Sequence, residues 1–256
     1  MALTFDDGYR NNASAAWPIL QQCGVPVTFF LVTGLVENPQ PFWFDRLDYA
    51  FQHLPAGRRS LSVAIGGRGH ELDVQDRPAR FHSGRALREL CKLRSPAEIQ
   101  SLVAQVEDSG GRSLAEICAD DEWTALMGVE DVNQMAAQGA HFGSHTVSHV
   151  ILDKASDARA RYEFAESRQA IENWTGHACE HVFYPSGRTN SRTPILAREA
   201  GYVCGLTTVD GANRPGEDIH LLRRINLPPD ISDAELQARV CGVAQTLHRW
   251  RRRVYH

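Results

Sequence analysis

The chain has 256 residues, 43% of them hydrophobic, with a formal net charge of -4 and a pI near 6.3. That length builds one large domain, or one domain with a sizeable insertion, and the slightly acidic balance excludes a global nucleic-acid binder. Six cysteines stand singly with no CxxC pair, which excludes a zinc knuckle and a dithiol redox site and leaves reduced, buried thiols as the expectation.

Residues 2–5 (ALTF) read as a short buried strand that runs straight into Asp6-Asp7-Gly8. No signal peptide and no long apolar run precedes or follows, so the expected compartment is the cytoplasm and no transmembrane segment is expected. Because Asp6 stands almost at the first residue, the chain opens inside its first element, and an upstream segment is an open alternative. Residues 13–23 read as a helix closed by Gly24. VTFFLV at 27–32 is a continuous apolar run, as in a strand covered on both faces. The stretch 35–130 then breaks the rhythm. It holds an amphipathic helix near 42–54, with Trp43, Leu47, Ala50, Phe51 and Leu54 on one face. A hairpin-like pair, 60–66 and 69–74, turns around Gly66-Gly67. Ser95-Pro96-Ala97-Glu98 opens another helix. We read 35–130 as a mostly helical insertion or cap within a single domain spanning 1–256.

The β-α alternation then resumes. A helix over 131–138 ends at Gly139, and a strand follows at 141–145. A long helix spans 157–174, with a strand at 181–185. Thr193-Pro194 starts a helix that stops at Gly201. Strands follow at 202–208 and 222–227, and Ser232-x-x-Glu235 is a capping box for a C-terminal helix. Strands alternating with helices imply a parallel sheet, open or closed as a barrel.

Three segments carry chemistry. Asp6 and Asp7 sit at the C-terminal end of the first strand, the edge where parallel α/β folds bind ligands. Neighbouring carboxylates cannot straddle a glycosidic bond, so a glycosidase pair is disfavoured. They can divide labour as one metal ligand and one free base; they also suit an ordinary turn and helix start. His145 and His149 stand at i and i+4, which on a helical turn aims both imidazoles at one ion. The residue after the first histidine is Thr146, not the glutamate of zinc proteases, so a base must come from elsewhere, Asp6 or Asp7. One aspartate and two histidines make an N/N/O set with open positions. Zinc is the default ion, and cobalt, iron or manganese satisfy the same set. The third segment, Val182-Phe183-Tyr184-Pro185-Ser186-Gly187, ends a strand in a tight turn whose backbone N–H could serve an oxyanion.

With these segments in order, the sequence resembles the polysaccharide deacetylases, the NodB-homology group of carbohydrate esterase family four. TFDDG at 4–8 looks like the first family motif and HTVSH at 145–149 like the second. FYPSG at 183–187 is similar to the third in the branch that reads F-x-YP-x-G rather than R-x-PYG. The resemblance implies a distorted (β/α)7 barrel. It implies Asp6 as catalytic base, Asp7, His145 and His149 as metal ligands, and the Ser186 N–H as an oxyanion donor. The implied activity is removal of N-acetyl groups from amino sugars in a poly- or oligosaccharide such as an exopolysaccharide, capsule or cell-wall glycan. Alternatives are a deacylase or deformylase of a small or lipid-linked sugar, and a silent carbohydrate-binding relative.

Two departures stand out. Where many members carry a late histidine that acts as general acid, this chain reads Leu222-Arg223-Arg224-Ile225. Arg224, with Arg223 as the alternative, is then expected to orient the base or bind substrate; His220 and His248 are the nearby candidates for an acid, though both are read first as surface residues. Phe183 also occupies the place of the R-x-PYG arginine. Trp43, Phe44 and Trp123 are read first as packing and second as sugar-stacking groups. Arg249, Arg251, Arg252 and Arg253 read as the solvated basic end of the last helix.

Overall fold

The structure is a computed structural model that describes residues 2–110, 113–114, 121, 123–228 and 230–243. The chain divides into two compact units. One comprises Met1–Gly8, Ala16–Glu37 and Val129–His256, the other Tyr9–Ala15 and Asn38–Gly128.

The first unit is built on a parallel sheet of six strands among the described residues: β1 (Leu3–Phe5), β2 (Val27–Leu31), β5 (His141–Ser144), β6 (His181–Phe183), β7 (Cys204–Asp210) and β8 (Leu222–Arg224). The strands lie side by side in sequence order and every pairing is parallel. Each crossover therefore steps to the adjacent strand, and right-handed crossovers of that kind roll a twisted sheet toward a barrel. The curl is visible in one contact: Arg224 on the last strand donates to Thr4 Oγ1 on the first at 3.0 Å. This curled half-barrel is the fold type that the resemblance implies.

Helices α1 (Trp17–Gln22), α2 (Thr33–Glu37), α6 (Val129–Ala137), α7 (Asp157–Thr175), α8 (Thr193–Glu199) and α9 (Asp233–Val240) complete this unit. The helix expected over 13–23 is in fact a π-type turn, Asn12–Ala16, followed by α1. Phe29 is the hub of the apolar side: it stacks on Phe5 at 5.5 Å and meets Trp17 edge-on at 6.3 Å and Phe142 at 6.0 Å. Phe29, Phe30 and Leu31 are buried, each worth roughly 1.5–3 kcal/mol against exposure.

The second unit contains α3 (Trp43–Gln52), an antiparallel hairpin of β3 (Ser60–Ile65) and β4 (Arg68–Asp73), α4 (Arg77–Cys91) and α5 (Pro96–Gly110). Strand β3 alternates exposed and buried, as a half-buried strand must. Its inward residues Leu61, Val63 and Ile65 pack with Leu47, Phe51, Leu87, Leu102 and Val106 in one apolar core. Helix α4 has no counterpart in the sequence reading: it is polar overall and buries only Gly84, Leu87 and Cys91. Its local signal is the Asp76 N-cap, which accepts from Ala79 N at 2.8 Å, with proline in the first turn.

Trp43 packs against that core and Phe44 stacks on Phe42 at 4.7 Å, while Trp123 is 75% exposed. The described cysteines are free, but not uniformly buried: Cys91 and Cys179 are inside, Cys23 and Cys241 outside. Among the described residues no helix is long and apolar enough to cross a membrane. His248 and the arginines at 249 and 251–253 lie outside the described residues.

Candidate functional site

The site collects at the C-terminal ends of β1, β5 and β6, where the backbone leaves the sheet in strained turns. Asp7, Thr146, His149 and Ser186 have φ of 72°, 68°, 55° and 56°. Among the described residues they are the non-glycine positions with left-handed backbone. Such geometry costs of order 1–3 kcal/mol each and persists only where the surroundings impose it.

Asp6 and Asp7 follow β1 directly, and the Gly8 N–H closes the turn onto the Asp6 carbonyl at 2.9 Å. The left-handed turn sends the two carboxylates to different partners. Arg224 grips Asp6 bidentately, with Nη1 to Oδ1 at 2.7 Å and Nη2 to Oδ2 at 2.8 Å. Asp7 instead faces the two imidazoles: His145 Nε2 lies 3.4 Å and His149 Nε2 3.5 Å from its Oδ1.

His145 and His149 do not share a helical turn. Residues 145–149 form a loop after β5, and the left-handed Thr146 and His149 bring the rings together at 4.8 Å between centroids. The i, i+4 spacing thus acts through a loop, which no helical-face argument anticipates. His145 is buried, and its Nδ1 lies 2.7 Å from the Phe183 carbonyl. A neutral ring must donate from Nδ1 to that carbonyl, so its Nε2 presents a lone pair toward Asp7.

These groups suit a cation. One ligand atom from each of Asp7, His145 and His149 lies within 4.8 Å of the others. Asp7 Oδ1 is buried and has no hydrogen-bond partner in the protein, an expensive arrangement for a carboxylate oxygen. Ligands bound at about 2.0–2.2 Å in a tetrahedron stand about 3.3–3.6 Å apart, which the two Asp7–imidazole separations match. Burial alone would raise the Asp7 carboxyl; His145, then His149 and Arg224, outweigh it and hold the group below the ordinary carboxylate value.

Phe183 joins the two halves of the site. Its ring stacks on His145 at 4.5 Å with an interplanar angle of 13°, and the Arg224 guanidinium lies 3.6 Å from its centroid. An aromatic ring therefore occupies the position where an arginine stands in the R-x-PYG branch, and the cation beside Asp6 comes from β8 instead. Arg223 turns away: its backbone N–H donates to Asn213 Oδ1 at 2.8 Å and its guanidinium lies 3.9 Å from Glu217.

Ser186 sits in a 3-10 turn, Pro185–Gly187, closed by the Gly187 N–H on the Tyr184 carbonyl at 2.7 Å. Gly187 is required there, since a Cβ would stand 2.2 Å from Thr208 Oγ1. His220 is a core residue rather than the surface residue expected: it is buried, its Nε2 lies 3.0 Å from the Tyr202 carbonyl, and its Nδ1 faces Arg198 and Asp218. Those partners occupy both nitrogens, so it is no proton donor to a substrate.

Glu163 on α7 escaped the sequence reading. It is fully buried and bonds the loop that carries the histidines. Its signal was available, because it lies on the helix face of Ala160, Phe164, Ser167 and Ile171, where a lone carboxylate needs a partner.

A family model described as polysaccharide deacetylase matches residues 1–74 and 103–205. Among curated proteins, the Bacillus subtilis polysaccharide deacetylase-type protein YxkH is 29% identical over 109 residues. That alignment covers 43% of this chain and 39% of the relative, so the match spans well under half of the relative's length. Among solved structures, the Streptococcus pyogenes deacetylase PplD in complex with acetate aligns at a TM-score of 0.56 and 19% identity, over 93% of this chain and 69% of that one. A polysaccharide deacetylase from Bacillus cereus gives a TM-score of 0.56 at 14% identity, over 93% and 50% of the two chains. IcaB from Ammonifex degensii gives 0.52 at 17%, over 90% and 68%. At these identities the structural matches establish the fold.

Proposed function

This chain belongs to the polysaccharide deacetylase family, and from that premise we propose that it hydrolyses the N-acetyl amide of an amino sugar within a poly- or oligosaccharide. The observation that carries the reading is the division of the aspartate pair. Asp7 Oδ1 sits buried and unpartnered between two imidazoles, and Asp6, one residue away, is held by Arg224.

Asp7, His145 and His149 are the proposed ligands of a divalent ion. Zinc is the first choice for an N/N/O set, with cobalt, iron and manganese satisfying the same donors. When bound, such an ion supplies Lewis acidity and lowers the pKa of water from about 15.7 toward 7. Asp6 is the proposed base. Its two oxygens each accept one Arg224 bond, which aligns the carboxylate and leaves a lone pair on each oxygen to take the water proton. The oxygen of that water bonds to the acetyl carbon. The Ser186 N–H is the proposed donor to the carbonyl oxygen as negative charge develops on it. The C–N bond then breaks, and Asp6 returns its proton to the leaving nitrogen. Acetate and a free amino sugar result. Arg224 acts through Asp6 as a positioning residue, in place of the missing arginine at 183.

Acetate release from a panel of N-acetylated oligosaccharides tests the reading. Release should stop with chelator and return with added zinc. Release of formate from N-formylated sugars, with no acetate from any N-acetylated glycan, would assign the deformylase alternative.

A further inference from the structure

The loop that carries the two proposed histidine ligands is held from outside. Its residues form neither helix nor strand, and Thr146 and His149 sit in backbone conformations that L side chains rarely adopt. From the start of α2, the Thr33 and Gly34 N–H groups donate to the Thr146 and Val147 carbonyls at 3.1 and 2.9 Å. The N–H groups of Val147 and Ser148 are met by a single side chain. Glu163 Oε2 accepts the Val147 N–H at 2.8 Å and the Ser148 N–H at 3.0 Å, and its Oε1 accepts the Ser148 hydroxyl at 2.6 Å. Arg159, one turn earlier on α7, neutralises the carboxylate at 2.7 Å and donates to Ser148 Oγ at 3.1 Å. One turn later, Ser167 bonds Ser144 Oγ at 2.7 Å, and that oxygen accepts the Thr146 N–H at 3.1 Å. Helix α7 thus grips the chain just before His145 and again between His145 and His149.

We infer that Glu163 is a positioning residue for the metal centre: it sets the separation of the His145 and His149 imidazoles, and so the affinity and geometry with which they hold an ion. The chemistry supports this over a plain structural staple. A fully buried carboxylate is costly to keep, yet the donors it satisfies are those of the two residues that join Thr146 to His149. Its bonds fix the backbone between the two left-handed residues, Thr146 and His149, across the segment that joins the two histidines. Glu163 touches neither histidine, so its effect must pass through the loop. The inference rests on the reading that Asp7, His145 and His149 ligate a metal.

Cobalt(II) titration of the metal-stripped full chain tests it, read by affinity and by the visible d–d absorption of the bound ion. Glu163→Gln keeps the shape but turns one acceptor into a donor. It is expected to weaken cobalt binding at least about tenfold and to shift the d–d band, with the metal-free circular dichroism spectrum unchanged. Ser148→Ala removes the hydroxyl that donates to Glu163 and accepts from Arg159, leaves the two backbone bonds to Glu163, and should weaken binding about threefold by the same logic. A folded Glu163→Gln protein with wild-type affinity and spectrum overturns the inference. Should that variant not fold, Ser148→Ala decides, and wild-type affinity there overturns it equally. Wild-type protein that takes up no cobalt overturns the metal reading and this inference with it, whereas uptake that is identical in wild type and variants overturns the inference alone.

Discussion

Among the described residues of the unit formed by 9–15 and 38–128, the buried polar side chains are Asn12 and Glu107. Among those of the unit formed by 1–8, 16–37 and 129–256 they are Thr33, Ser144, His145, Thr146, Glu163, Ser167, Thr193, Thr207 and His220. The former has a core of Leu, Val, Ile and Phe on regular helices and a hairpin. Its Glu107 is paired bidentately with Arg46 at 2.9 and 2.6 Å. The latter carries every left-handed non-glycine residue among those described. Apolar packing tolerates small shifts because it is non-directional; a ligand set does not, because coordination and hydrogen bonds are directional. The contrast teaches that one unit is organised for stability and the other for geometry held by buried polar bonds.

The contrast can be broken by substitutions that should affect one property and spare the other. The largest effect is expected for His145→Ala, which should reduce acetate release to background and abolish metal uptake; full metal occupancy in that variant would remove His145 from the ligand set. Asp6→Asn should cost about 10²–10⁴-fold in turnover while metal content stays at the wild-type level. Near-normal turnover with metal bound would refute its role as base.

Leu102 is fully buried in the apolar unit. Leu102→Ala should lower unfolding stability by about 2–5 kcal/mol, measured by denaturant titration, with metal affinity of the folded protein unchanged. A large loss of metal affinity there would collapse the distinction between the units. The smallest effect is expected for Arg224→Lys. Lysine keeps the charge but not the planar two-point grip on Asp6, so kcat should fall roughly tenfold by loss of alignment with KM little changed. A rise in KM at constant kcat would instead make Arg224 a substrate-binding group.

Much of the fold was legible because burial has a period. The apolar run at 27–32 and the strand-helix alternation after 131 read directly as β2 and as β5 through β8 with their helices. Most element ends moved by a residue or two, as frayed ends do, and the last strand, expected over 222–227, stops three residues earlier at Arg224. Helix α4 went unread although it is amphipathic, because it is polar overall and its buried face is only Gly84, Leu87 and Cys91, so few large apolar residues mark it. At the site, Asp7, His145 and His149 announced themselves by type and order, and the structure brings their ligand atoms together. The reason they converge was misread: a helical turn was expected and a left-handed loop does the work. His220 was weighed as an acid because distance in sequence cannot distinguish a solvent-facing imidazole from one satisfied by core carbonyls.

By itself the sequence determined which side chains carry donor, acceptor and ligand chemistry, and the order in which strands and helices deliver them, since those depend on residue identity and local period. Only the tertiary structure decided that Arg224 from the last strand holds Asp6 on the first turn, and that Phe183 lies beside both Arg224 and His145. It alone showed that Glu163 anchors the histidine loop. These partners lie far apart along the chain, or meet through backbone angles that residue identity does not specify, and they come into contact only once the sheet has curled.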